Sequence, residues 1–333
     1  MRKSLQEIFF CYNLVEVIKL EKILENAIEK LAAEFENLDL TFHKMENAKP
    51  DDVTSYFPGA DDENILVCVF KGKEISEPFH RQDFFFANYA WQKNYNAISA
   101  KFNNLITIQE NEIYIGQPYS GYALRGKSNE EIIIVGILIR KEYFFSQYLP
   151  TIYTDESLFN FFVEPQHNKF SEEFIHLSFE KNFAVKKILE IMIVEYANRN
   201  DDTQKILKFL FQALLLEIAR SYKKINTDKN FSKSLSAQII EYMCDNLDVV
   251  TLKDIAKNFS YHPNYISALL HRETGKTFTK ILQEKRMSRA EKLLKNTNLS
   301  IEKISEMLGY ATAENFYKSF REFYHTTPRK LLK

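Results

Sequence analysis

The chain contains the stretch Thr251-Leu-Lys-Asp-Ile-Ala-Lys-Asn-Phe-Ser-Tyr261 and repeats its pattern in Ser300-Ile-Glu-Lys-Ile-Ser-Glu-Met-Leu-Gly-Tyr310. The apolar positions correspond at a separation of 49 residues, as Leu252 does to Ile301. Both stretches open with a hydroxyl residue that can cap a helix. Their apolar residues recur at helical spacing and end at a turn. The repeat therefore predicts two short capped helices in the last hundred residues of the chain.

Start and stop signals support these helices and predict a second helix after each turn. Asp254 stands three positions after Thr251, as in a capping box. Gly309 is placed to end the second short helix in the left-handed conformation. Pro263 suits the first position of the next helix and Gly275 its end. Each copy thus predicts a helix-turn-helix arrangement.

The two second helices each have one apolar and one polar face. In the first copy Ile266, Leu269 and Leu270 are predicted to be buried. In the second copy this applies to Phe316, Phe320 and Phe323. The candidate DNA-contacting residues share the opposite faces: Asn264, Ser267, Ala268, His271 and Arg272 in the first copy, and Glu314, Tyr317, Lys318 and Arg321 in the second. Such a helix fits a major groove about 12 Å wide.

One amphipathic helix is predicted between the copies, over residues 277–296. At about 1.5 Å per residue it spans ~30 Å, close to the ~34 Å between successive major-groove faces of one duplex. Lys285, Arg286 and Arg289 on this helix are candidate phosphate contacts. The alternative is a small helical bundle that binds another protein and has no salt-dependent affinity for DNA.

Residues 235–333 resemble the DNA-binding domain of AraC/XylS-type transcription regulators. The matching residues occur in the family's order and spacing: Leu252-Lys-Asp-Ile-Ala256, Ile266, Leu269, Arg272-Glu-Thr-Gly275, Phe278, Arg286, Ala290, Leu293-Leu294, Ile304, Gly309-Tyr310, Phe316, Phe320 and Thr327-Pro328. The chain departs from the family pattern at His325, where a small residue is usual, and at Leu331-Leu332, where Tyr-Arg is usual.

The resemblance implies a sequence-specific regulator, an activator more often than a repressor, in which two recognition helices contact adjacent major-groove segments of double-stranded DNA. It also implies an N-terminal domain that either senses a small-molecule effector or serves mainly to form a homodimer, with RNA polymerase as a further partner. No cofactor is expected. Ala268 and Glu314 suit a thymine methyl and a cytosine amino group better than guanine, so the operator sequence is not predictable.

The region from residue 64 to 141 is β-rich. Short apolar runs at 65–70, 84–89, 105–108, 113–115 and 132–139 are separated by turn residues. They predict a small antiparallel barrel or sandwich, and the region is similar to the cupin-like sensor domain of the same family. His80, Trp91, Tyr95 and Tyr114 are candidate ligand-binding residues. The metal-binding histidine pattern of cupins is absent, which argues against the alternative of a cupin-type metal enzyme.

Helical periodicity predicts one or two helices at residues 4–35 and further helices at 171–222. An apolar stripe between Ile206 and Ile218 is suited either to pairing with a second copy or to packing on the barrel. A polar segment, 223–233, predicts a linker. The predicted fold class is therefore α+β multidomain, with a sensor and dimerisation domain at 1–222 and an all-α double helix-turn-helix domain at 234–333.

Composition and charge fit this organisation. The net charge of the chain is −1, but residues 231–333 carry +6 and the remainder −7, as expected for a DNA-binding domain joined to an unrelated one. The three cysteines, Cys11, Cys68 and Cys244, have no metal-ligand spacing. No signal peptide, membrane-spanning run or nucleotide-binding, hydrolase or protease motif is found. The expectation is a cytoplasmic protein that is not an enzyme.

Overall fold

The computed structural model describes residues 2–36, 42–44, 53–99, 104–152, 155–163, 174–179, 182–228 and 234–331. Its contacts divide the chain into two units. Unit 1 comprises Met1–Arg140 and Glu172–Glu217. Unit 2 comprises Lys141–Ser171 and Ile218–Lys333.

Unit 1 is built on a β-sheet flanked by helices. Its strands are β1 (Phe42–Lys44), β2 (Val53–Ser55), β3 (Ile65–Gln82), β4 (Phe85–Gln92), β5 (Tyr95–Ser99), β6 (Asn104–Ile108), β7 (Glu112–Gly116), β8 (Tyr122–Ile139) and β9 (Phe174–Ser178). Its helices are α1 (Arg2–Glu36), α5 (Phe183–Ala197) and the first part of α6 (Thr203–Asp228). The five predicted β runs are confirmed, and β1, β2, β5 and β9 were not predicted.

The described strands form one nine-stranded sheet in which the long strands β3 and β8 are paired antiparallel. On its other edge β8 pairs with β5 through its first half and with β4 through its second half. Strand β8 is thereby shared by two ladders, which indicates that the sheet folds over its own core. The core face carries buried tyrosines and phenylalanines such as Phe86, Tyr114 and Tyr122. The last turns of α1 bury Ala27, Ile28 and Leu31 where α1 contacts β3 and α5.

Unit 2 is helical. Its elements are α2 (Lys141–Gln147), α3 (Leu149–Ile152), α4 (Glu156–Val163), the last part of α6, α7 (Leu235–Asp245), α8 (Leu252–Asn258), α9 (Pro263–Thr274), α10 (Phe278–Asn296), α11 (Ile301–Met307), α12 (Ala313–Tyr324) and a 3₁₀ turn at Pro328–Lys330. Fully buried Ile239, Met243, Ile255, Ile266 and Leu270 form the centre of its first half. The α+β multidomain fold class with a double helix-turn-helix C-terminal region is confirmed.

The boundaries differ from the predicted ones in three places. Helix α6 continues to Asp228, through residues 223–228 of the predicted linker; residues 229–233 lie outside the described residues. Residues 174–178 form strand β9 rather than helix, because they pair with β7. Helices α2, α3 and α4 belong to unit 2 rather than to the predicted sensor domain.

Candidate nucleic-acid interface

The first helix-turn-helix is formed by α8 and α9. Thr251 Oγ1 accepts a hydrogen bond from the Asp254 backbone N–H at 3.2 Å, and the Thr251 N–H donates to the Asp254 carboxylate at 3.0 Å. This capping box confirms the predicted start of α8. The hydroxyl and N–H of Thr251 lower the pKa of Asp254. Pro263 occupies the first turn of α9, and the His262 ring caps it by accepting from the Asn264 N–H at 3.2 Å.

The second helix-turn-helix, α11 and α12, repeats this construction. Ser300 caps α11 and Thr312 caps α12 through their hydroxyl oxygens. Both turns contain a residue with positive φ, Ser260 at 58° in the first and Gly309 at 71° in the second. The turn therefore has the same left-handed bend in both copies, which supports the internal repeat found in the sequence.

The faces of α9 and α12 are divided as predicted. Ile266, Leu269 and Leu270 are buried on α9, as are Phe316 and Phe320 on α12, while Phe323 is only half-buried. The candidate DNA-contacting residues lie on the opposite faces: Asn264, Ala268, His271, Arg272, Glu314, Lys318 and Arg321 are exposed, and Ser267 and Tyr317 are half-buried. Both helices thus present a polar surface that a groove can receive.

The predicted phosphate contacts on α10 are corrected for two of three residues. Arg289 is buried, with 4% of its surface exposed, and its guanidinium lies 4.6 Å from the centre of the Phe159 ring. Arg286 donates to the carbonyl oxygen of Leu247 at 2.8 Å, and burial lowers its pKa. These guanidiniums are used inside unit 2. Lys285 is half-buried.

Arg286 belongs to a junction between the two helix-turn-helix motifs. Its guanidinium also lies 5.3 Å from the centre of the Tyr310 ring, in the turn of the second motif. Beside it, a Cβ added to Gly309 would lie 1.9 Å from the carbonyl oxygen of Asp248, which precedes α8. The turn of the second motif thus packs tightly against the backbone that leads into α8, and this contact links the two motifs.

Sequence reasoning missed two exposed aromatic residues at the start of α9. Tyr261 and Tyr265 are 44% and 43% exposed, and their rings stack with centroids 4.9 Å apart. The two tyrosines are four positions apart and flank His262, the cap of α9. This spacing was the signal available in the sequence. They extend the exposed surface of the first motif beyond Asn264.

The candidate ligand-binding residues of unit 1 are all buried. Tyr95 donates its hydroxyl to the carbonyl of Asn88 at 3.1 Å, and Tyr114 stacks on Phe174. Trp91 packs under the Lys186 ammonium. Of the four, only His80 lines one of the cavities described below. Its Nδ1 is 2.8 Å from the Pro78 carbonyl, and burial lowers its pKa.

The described residues contain no group of three or more His, Cys, Asp or Glu side chains that could hold a metal ion. None of the described helices is both long and apolar enough to cross a membrane.

The comparisons with known proteins point to the C-terminal region. A helix-turn-helix domain family model matches residues 255–333. The HTH-type transcriptional regulator YtdP of Bacillus subtilis is 31% identical over 97 residues, which cover 29% of this chain and 13% of YtdP. The transcriptional activator PerA of Escherichia coli O127:H6 is 29% identical over 142 residues, 41% of this chain and 48% of PerA. The chain thus spans less than half the length of these relatives.

Among solved structures, ToxT from Vibrio cholerae aligns over 81% of this chain and 100% of its own, with 15% identity and a TM-score of 0.34. The C-terminal domain of AraT, a response regulator from Geobacillus stearothermophilus, covers 30% of this chain and 84% of its own, with 27% identity and a TM-score of 0.29. The family model and the paired motifs show that the C-terminal region of this chain contains a helix-turn-helix domain, and this region is similar to those of known transcriptional regulators.

Proposed function

We propose that this protein is a sequence-specific transcription regulator that places α9 and α12 in adjacent major-groove segments of duplex DNA. The observation that carries the proposal is the pair of motifs with exposed polar helix faces, joined by α10 and by the Arg286–Gly309 junction. The 19 residues of α10 span about 28 Å at ~1.5 Å per residue. That length suits two helices about one turn of duplex apart.

The exposed residues divide into base and backbone contacts. Residues near the N-terminus of a recognition helix contact base edges, so this role falls to Asn264, Ser267, Ala268, Glu314, Tyr317 and Lys318. Asn suits adenine, Lys suits guanine and Glu accepts from cytosine. His271, Arg272 and Arg321, nearer the helix ends, with Lys285, are assigned to phosphates, which give affinity but no sequence information.

The test is selection of full-length protein on random duplex DNA across a salt series. We expect enrichment of a site with two half-elements about 10 base pairs apart, bound more weakly as salt rises. Failure to enrich any sequence at any salt concentration would contradict the proposal and favour a protein-binding helical module.

Single substitutions separate the two kinds of contact. Asn264→Ala and Lys318→Ala should relax the preference at one position each, by about 1–3 kcal/mol. Arg321→Ala should weaken binding to all sequences and reduce the salt slope by about 1. Lys295→Ala is the matched control, because this exposed lysine lies on α10 and is paired with Glu291.

We further infer that unit 1 dimerises the protein and houses an effector site. The support for a dimer is an exposed apolar stripe on α6 formed by Ile206, Phe209, Ala213 and Leu216. Its spacing of three, four and three residues is that of a helix-pairing seam. On the basis of the resemblance, we also propose that the protein acts in the cytoplasm and activates transcription through contact with RNA polymerase.

A further inference from the structure

A small cavity lies within the sheet of unit 1, under the last turn of α1. Its volume is about 20 Å³, which is room for roughly one water-sized group. Phe35, Phe70, Phe84 and Phe86 supply its aromatic walls. The cavity is too small for a whole organic molecule but large enough for a head group.

Two residues that line this cavity have side-chain amide oxygens without a hydrogen-bond donor among the described residues. Gln82 is 6% exposed and Asn88 is 3% exposed, and Gln82 Oε1 and Asn88 Oδ1 are unsatisfied. Their amide nitrogens are already engaged, Gln82 Nε2 with His80 Nε2 at 2.9 Å and Asn88 Nδ2 with the Tyr122 hydroxyl at 3.0 Å. Because an unpaired buried acceptor costs free energy, the pair is suited to a group that brings hydrogen-bond donors.

Above about pH 7, where it is ionised, the carboxylate of Glu77 completes the acceptor set. Glu77 lines the same cavity, and none of the described lining residues is Lys or Arg. Burial raises the pKa of Glu77 to about 7 and lowers that of His80. The acceptor groups of the cavity are thus Gln82 Oε1, Asn88 Oδ1 and the Glu77 carboxylate, with no Lys or Arg among the described lining residues. The phenyl rings that enclose them have faces that attract positive charge.

A larger cleft adjoins the cavity. It has a volume of about 610 Å³ and lies between α1, β3 and α5, within the usual range for ligand pockets of ~300–1,000 Å³. Phe35 and Cys68 line both spaces, and the Phe35 ring packs edge-on against Phe70 at 4.6 Å. Leu31, Leu66 and Val67 give the cleft apolar walls. Cavity and cleft therefore have Phe35 and Cys68 as common wall residues, so that a ligand spanning both spaces would pass beside Phe35.

We propose that unit 1 binds a primary organic ammonium, with its head group in the cavity and its apolar body in the cleft. An ammonium group has three N–H donors and no acceptor, which matches Gln82 Oε1, Asn88 Oδ1 and the Glu77 carboxylate. A hydroxyl group has a single donor, and a carboxylate would be repelled by Glu77. The inference rests on the proposed function only in assigning this ligand the role of effector.

The test uses calorimetric titration of the full-length protein at pH 8, without DNA, with hexylammonium, hexanol and hexanoate. These probes share one tail and differ in the head group. We expect saturable binding of hexylammonium, binding of hexanol weaker by about tenfold or more, and none of hexanoate. Equal or tighter binding of hexanol or hexanoate, or no saturable binding of hexylammonium, would overturn the proposal.

Variants then assign the head-group site. Glu77→Gln should weaken hexylammonium binding by about tenfold to a hundredfold, since a charge-assisted hydrogen bond is lost. Glu74→Gln is the control, because Glu74 lies on the same strand, is exposed and pairs with Lys127. Glu77→Asp keeps the charge and should retain part of the affinity, which separates a site effect from misfolding. Unchanged binding by Glu77→Gln would exclude this cavity.

The outcome is independent of the DNA selection. Failure of the ammonium titration leaves the double helix-turn-helix untouched, and failure of the DNA selection leaves ligand binding measurable. If both succeed, adding hexylammonium to the DNA-binding assay tests the effector role. A change in DNA affinity with wild-type protein, absent with Glu77→Gln, is the expected result.

Discussion

Gly309 and Gly275 have the same backbone conformation, with φ at 71° in both, but different surroundings. A Cβ on Gly309 would meet the Asp248 carbonyl oxygen at 1.9 Å, whereas nothing lies within 4 Å of one on Gly275. Gly275→Ala should lower the free energy of unfolding by about 1–2 kcal/mol, the cost of a left-handed residue. Gly309→Ala should lower the free energy of unfolding by clearly more, because the backbone at Asp248 must also move.

Denaturant unfolding of the full-length protein measures the loss of stability in each variant. Gly275→Ala is the control, because it has the same conformational cost as Gly309→Ala but no close contact. Gly309→Ala should also reduce affinity for the selected DNA site, since α9 and α12 are reoriented. Equal losses of stability for the two variants would show that the contact with Asp248 is not tight.

The burial of Glu77 should make the stability of the protein depend on pH. Its pKa is raised from 4.5 to about 7 by burial, and the titratable groups near it are Cys68, His80 and Tyr122. Because the folded state holds the proton more tightly, the Glu77 contribution to stability falls as pH rises from about 4.5 through 7. Glu77→Gln should therefore raise the melting temperature at pH 8 relative to wild type and change it little at pH 4.

Thermal unfolding at the two pH values measures this effect of Glu77. Glu74→Gln, on the exposed part of the same strand, should leave the pH dependence unchanged. A melting temperature of Glu77→Gln that follows the wild-type pH profile would mean that the Glu77 carboxyl titrates normally in the folded protein.

Residue-level prediction from sequence succeeded where local geometry decides and failed where distant segments meet. The exposed faces of α9 and α12 follow from about 100° of rotation per residue. The burial of Arg289 depends on Phe159, 130 positions earlier in the chain. That of Arg286 depends on carbonyl oxygens before α8. Helical periodicity shows which face a cation occupies, but not whether another segment covers it.

At the scale of elements, α6 has two apolar faces, and the sequence alone did not separate them. Leu214, Leu215 and Ile218 are buried in the protein, whereas Phe209 is 67% and Leu216 47% exposed. Packing therefore accounts for one side of the helix, and the proposed pairing concerns the other, exposed side. Strand β9 was missed for a related reason, because its five residues are defined by pairing with β7.

The exposed side of α6 leads to a prediction about assembly. Phe209→Glu places a charge in the pairing seam and should convert a dimer into a monomer, as measured by analytical ultracentrifugation. Phe183→Glu is the control, since Phe183 on α5 is 73% exposed and outside the stripe. Wild-type protein that sediments as a monomer, or a Phe209→Glu variant that remains dimeric, would contradict pairing through α6.

At the scale of the whole molecule, the division into units does not follow the order of the sequence. The sequence predicts a DNA-binding domain at residues 234–333, but α2, α3 and α4 belong to the same unit as this region. Fully buried Phe159 of α4 packs on Arg289, and Asn160 accepts a hydrogen bond from Lys292 at 3.0 Å. No motif in residues 141–163 indicated this, because the match to the family begins only near residue 235.

If α4 is an integral part of unit 2, Phe159 and Arg289 should be energetically coupled. A double-mutant cycle with Phe159→Ala, Arg289→Ala and the double variant, analysed by denaturant unfolding of the full-length protein, should give a coupling free energy of about 1–2 kcal/mol, as for a desolvated cation–π pair. The half-exposed pair of Lys280 and Phe323, 5.4 Å apart, should give ~0.5–1 kcal/mol. Strict additivity for Phe159 and Arg289 would mean that α4 does not pack there in solution. Arg289 would then be free to contact phosphate as the sequence predicted, and Arg289→Ala would reduce the salt dependence of DNA binding.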